Sequence, residues 1–160
     1  MKHFTLTEIT SSQTARLKHI DNTPSEQHRK NIEEAVSFLL DPLREAWAVC
    51  CANKQWGTPA LRVTSGYRSP ELNRAVGGSP TSAHCVGFAF DLVPMNGRIA
   101  DFKACVRDFL KDRNFDQLIS ENEDDKGTPE WIHVGYKTQR GKQRRQMLSM
   151  RKGGYYTLSA

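Results

Sequence analysis

Ser82-Ala83-His84-Cys85-Val86-Gly87-Phe88-Ala89-Phe90-Asp91, followed further along by Trp131-Ile132-His133, is the part of the chain whose reading decides the fold. It offers two imidazoles and one carboxylate for a single zinc ion. Three protein ligands of N, N and O type leave a fourth position for water, the pattern of a catalytic zinc site; structural sites are usually closed by four ligands and rich in thiolate. Ala89 and Asp91 are two apart and point to one face of a strand. Gly87 can turn the loop carrying His84 back toward that face. His133 lies inside a second short apolar strand, where Trp131 and Gly135 share its face. Pairing the two strands would bring His84, Asp91 and His133 together. Each residue alone has an ordinary reading: a lone histidine is most often a surface or hydrogen-bonded group, and a strand aspartate often forms a turn.

The fixed positions Ser82, His84, Gly87, Ala89 and Asp91, with the later Trp131-Ile132-His133, resemble the zinc D-Ala-D-Ala carboxypeptidase family of peptidoglycan metallopeptidases, whose fold is shared with the hedgehog signalling domain. Thr64-Ser65-Gly66-Tyr67-Arg68-Ser69-Pro70 and Phe115-Asp116-Gln117-Leu118-Ile119 are similar to the same family. Together these segments cover residues 60–136. The resemblance implies an α+β fold, a small and mostly antiparallel sheet flanked by helices. It also implies one zinc ion on His84, Asp91 and His133, and a substrate arginine at Arg68. A zinc ion makes hydroxide available at neutral pH, and amide cleavage then needs a carboxylate to move the water proton to the leaving amine. Glu130, three residues before His133, is the expected base, because related metallopeptidases carry an acid there. In an ideal strand residues 130 and 133 face opposite sides, so Glu130 would have to sit on irregular backbone. Glu121 is the competitor, sharing a face with Gln117 and Ile119. Arg68 could stabilise the oxyanion or grip a substrate carboxylate. Ser82 could bond substrate or cap its loop. Tyr67 and Trp131 either wall the cleft or pack beneath it.

With 160 residues the chain suits one domain, residues 1–160, with a core over about 24–158 that needs no disulfides. A hydrophobic fraction of 38% is modest yet too high for a disordered chain. No apolar run is long enough to span a membrane, and the N-terminus lacks the apolar segment of a secretory signal. The expectation is synthesis in the cytoplasm without a signal peptide, a monomeric state, and action at the cell wall after release. Cys50, Cys51, Cys85 and Cys105 show no framework spacing and read as reduced thiols. His3, His19 and His28 fit no pattern and read as surface residues.

The net charge of +5 sits largely in residues 137–152. Such a run could meet an anionic wall polymer or form a solvated helix face; no nucleic-acid signature accompanies it. Residues 1–22 read as an irregular arm with a short helix at 7–17. Thr23-Pro24-Ser25-Glu26 predicts a capped helix start, and Asp41-Pro42 a kink or break in the helix that follows. Strands are predicted at 61–65, 88–93, 115–120, 131–136 and 155–158, with helices from Ser69, over 99–112 and over the basic stretch 142–151.

The function that follows is cleavage of an amide in the peptide stem of peptidoglycan, by a carboxypeptidase or an endolysin-type endopeptidase of phage or prophage kind. The alternative is a zinc-binding protein with weak catalysis, serving as a wall binder or a phage structural component.

Overall fold

In the computed structural model, which describes residues 1–158, helices precede a six-stranded mixed sheet, so the α+β expectation holds. The first helices are α1 (Leu6–Thr10) and α2 (Gln13–Lys18), where one helix was expected. Two successive caps explain the split. Thr5 and Glu8 form a capping box on α1, and Ser12 accepts from the Ala15 amide to start α2. Neither is an irregular arm, since Phe4, Ile9 and Ala15 are buried.

Helix α3 (Glu26–Ala35) is capped by Ser25, whose hydroxyl accepts from the His28 amide; the expected Thr23 cap lies two residues early. The Thr23 amide is instead tied to Asp21 Oδ1 at 2.9 Å, in an Asx-type turn. The chain then runs through a π-helical turn, Val36–Leu40, into α4 (Asp41–Lys54). Pro42 cannot donate to the ladder, and the turn before it widens so that the Asp41 amide bonds the Val36 carbonyl. The expected break is therefore a widened turn within a continuous helical run.

Strand β1 (Leu61–Ser65), helix α5 (Pro70–Ala75), strand β2 (Ala89–Pro94), helix α6 (Ile99–Leu110), and strands β3 (Gln117–Glu121) and β4 (Trp131–Gly135) lie close to their predicted positions. The predicted basic helix over 142–151 is wrong: Gln146–Arg151 is strand β5, which pairs in parallel with β3 and is followed by β6 (Gly154–Thr157). Tertiary pairing along an open edge of β3 overrides the helix propensity of its Lys, Arg and Gln residues. Spatial order is β1-β2-β4-β3-β5-β6, and every neighbouring pair except β3–β5 is antiparallel.

The sheet's alternation separates core from cleft. Phe90, Leu92, Leu118, Ile132 and Val134 are fully buried on one face. They join one apolar cluster with Ile32, Leu39, Leu43 and Trp47 of the α3–α4 run and Phe102, Val106 and Leu110 of α6. The other face carries Asp91, His133 and Ile119, consecutive partners in the register across β2, β4 and β3. Among the described residues no helix is long and apolar enough to cross a membrane.

Candidate metal centre and its cleft

Each ligand candidate is held by a different local device. His84 sits in a one-turn 3-10 helix, Ala83–Val86, that ends at Gly87 with φ +83°. A Cβ there would lie 2.6 Å from Ile32 Cγ1, so glycine permits both the left-handed turn and the close packing on α3. Asn31 of α3 also donates to the Val86 carbonyl at 2.9 Å. The imidazole of His84 donates from Nδ1 to the Gly66 carbonyl at 2.7 Å, which leaves Nε2 as a bare lone pair aimed inward. Asp91 and His133 face each other in the β2–β4 register.

The three side chains converge. Asp91 Oδ1 lies 3.0 Å from His133 Nδ1 and 3.4 Å from His84 Nε2, and one ligand atom from each residue lies within 4.8 Å of the others. Zinc bonds of 2.0–2.1 Å in a tetrahedron set neighbouring donors about 3.3 Å apart, so this N, N, O set fits such an ion. All three are shielded from solvent: His84 is 3% and Asp91 7% exposed, and the His133 side chain 12%. Burial pushes His84 toward its neutral form, the form that ligates a metal, and outweighs the pull of Asp91. Burial alone would raise the Asp91 carboxyl; its close neighbours His84 and His133 outweigh it and hold the group well below the carboxylate range.

Asp91 divides its oxygens. Oδ2 accepts from Arg68 Nη2 at 3.2 Å while Oδ1 faces the histidines. Arg68 is further fixed by Ser65 Oγ at 2.9 Å and Asn73 Oδ1 at 3.4 Å. Its guanidinium lines a cleft of about 360 Å³ together with the metal-ligand candidates, Ser82, Glu121 and Trp131. Ser82 also caps its turn, accepting from the His84 amide at 3.3 Å. Tyr67 lies beneath, buried, with its hydroxyl 3.2 Å from His28 Nδ1. Cys85 faces a separate groove with His28 and Val86, apart from the metal cluster.

The two glutamates part company. Glu130 is exposed and does not line the cleft; its amide bonds the Glu121 carbonyl at 2.9 Å, just before β4 begins. The register supplies the reason. Trp131 pairs with Glu121 and His133 with Ile119, so Glu121 shares the face of His133, while a residue three positions before His133 does not. Burial, helped by the negative charge of Asp91, pushes the Glu121 carboxyl above its ordinary value. Sequence reading passed over Asp116, Arg144 and Tyr155, which also line the cleft. Arg144 Nε and Nη2 grip Asp116 Oδ1 and Oδ2 at 2.6 and 2.8 Å. The Phe115-Asp116-Gln117 segment was a signal for Asp116; nothing local marks Tyr155, which β6 delivers from the far edge of the sheet.

No curated protein matches the chain. The family model described as Peptidase M15 matches residues 2–135, a span that takes in the His84 turn, the Asp91 strand and the His133 strand. With most of its length so matched, and with three converging side chains that could hold a metal ion on its sheet, the chain belongs to the Peptidase M15 family, the metallopeptidases of the zinc D-Ala-D-Ala carboxypeptidase type.

Proposed function

We propose that this protein is a zinc peptidase that hydrolyses an amide bond in the peptide stem of bacterial peptidoglycan, with His84 Nε2, Asp91 Oδ1 and His133 Nδ1 as ligands and Glu121 as base. One observation carries the reading: a half-buried glutamate and three converging donors share the floor of one cleft. His84, Asp91 and His133 would hold the zinc ion, which would supply an acidified water and a polarised scissile carbonyl. The Glu121 carboxylate takes a proton from the attacking water and delivers it to the departing amine nitrogen, completing the hydrolysis. Its raised affinity for a proton suits both halves of that transfer. Arg68, oriented by Asp91, Ser65 and Asn73, donates to the carbonyl oxygen as it gains charge, or to a substrate carboxylate. Ser82 bonds the substrate backbone at the cleft rim.

Glu121 inside the cleft weighs against a zinc-binding protein that only adheres to the wall. Incubating purified wall material with the zinc-loaded protein tests the reading, with mass spectrometry of the released fragments identifying the new termini. New amine and carboxyl ends that vanish with chelator are the expected result. Unchanged wall material at every zinc level would sink the proposal.

A further inference from the structure

The metal cleft continues into a second groove of similar size. Thr81, Thr138 and Arg144 line both, and the remaining walls of the second are Gln139, Arg140 and Lys142. The metal cleft holds Asp91, Asp116 and Glu121, whereas no acidic side chain lines its extension.

The loop between β4 and β5 that builds this groove is pinned along its length. Gln139 Nε2 donates to the carbonyls of Pro80 and Ser82 at 3.1 and 2.9 Å, which fastens it beside the His84 turn. Thr138 and Lys142 close a turn through amide bonds of 2.8 and 3.0 Å, and Gln143 Nε2 reaches the Tyr136 carbonyl at 3.1 Å. Asp116 holds Arg144 at the base. Arg144 is thereby neutralised, as is Lys137 by Glu34 at 2.5 Å. Arg140 and Lys142 remain exposed on this fixed backbone, with no ion pair among the described residues.

Two unneutralised cations on a preordered loop call for an anion, because the ordering cost of the loop is already met before binding. The charge in the groove is local: Lys137 and Arg144 are held by carboxylates, and Arg145, which does not line it, donates to the Lys111 carbonyl. It therefore suits a single carboxylate better than a long polyanion. Continuity with the metal cleft makes that carboxylate part of the molecule whose amide lies at the metal. We infer that Arg140 and Lys142 form a subsite for a carboxylate of the substrate peptide, displaced from the scissile bond toward the Ser82 side of the cleft. The inference rests on the peptidase reading and adds a substrate preference to it: acidic stem peptides over their amidated forms.

Binding to zinc-loaded Glu121→Gln protein tests this with two soluble stem peptides, one carrying a free carboxylate within the chain and one with that group amidated. The free acid should bind about three- to tenfold tighter, with the gap closing as salt is raised. Adding Arg140→Ala and Lys142→Ala should remove the preference, leave the amidated peptide's affinity unchanged, and leave Tm unchanged. Equal binding of the two peptides, or equal weakening of both by the double substitution, overturns the subsite and leaves the peptidase reading standing. So does a double substitution that alters only retention on whole walls, which would assign the cations to a phosphate-bearing polymer. If neither peptide binds, the peptidase reading fails and the subsite falls with it.

Discussion

The Nδ1–H of His84 points at the carbonyl of Gly66, 2.7 Å away, and that carbonyl is itself set by α1: the next amide, of Tyr67, donates to the Ile9 carbonyl at 2.8 Å. A Cβ on residue 66 would meet the Ile9 oxygen at 2.2 Å. Gly66→Ala must therefore push β1 away from α1 and take the histidine's hydrogen-bond partner with it. Zinc affinity measured by competition with a chromogenic chelator should fall about 10- to 100-fold, the usual result of losing such support. Unchanged affinity would remove Gly66 from the site's design.

Glutamate substitutions separate the two acids. Glu121→Gln should lower kcat by roughly 100- to 10,000-fold while still binding zinc, as expected for a lost general base. Glu130→Gln, changing an exposed group, should stay within about twofold of wild type. The reverse outcome would return the role to Glu130.

Metal loading should be visible as stability, since the three donors converge only in the folded chain. At zinc 100-fold above Kd the gain is about 2.7 kcal/mol. For a chain of this size that corresponds to a Tm rise of about 5–10 °C. Calorimetry with and without chelator measures it, and His84→Ala should show no rise.

An independent pH effect lies on the far side of β3. Glu123 is 3% exposed at its side chain and accepts from Lys103 Nζ at 2.5 Å and Ser149 Oγ at 3.0 Å. Burial would raise its carboxyl, but these bonds and the lysine charge prevail and hold it below the ordinary value. A depressed folded-state pKa stabilises the fold above the unfolded value, and the contribution disappears as pH falls through the folded one. Lys103→Met should therefore cost roughly 1–3 kcal/mol in urea unfolding at neutral pH. Its gap to wild type should narrow in acid; a gap independent of pH would refute the pairing.

The candidate triad was legible because Ser82–Asp91 and Trp131-Ile132-His133 are each short local patterns, with a strand or turn to hold every member. The proposed base was half legible. Parity along β4 warned against Glu130, but only the β3–β4 pairing brings Glu121 opposite Trp131, and a pairing between distant segments leaves no mark on either. The same blindness produced the spurious helix at 142–151: its composition favours a helix, and the edge of β3 that captures it as a strand lies elsewhere in the chain. Helix starts were misplaced for a smaller reason, because Thr23 and Ser25 both qualify as caps and a turn at Asp21 decides between them.

Asp91 and His133 sit directly opposite on adjoining strands, and a slip of β4 by one position would turn His133 into the apolar core and offer Ile132 or Val134 in its place. Only the chain aligned in step can capture an ion. An ion held there would stabilise the aligned sheet over its slipped forms, since binding to one arrangement alone shifts the balance toward it.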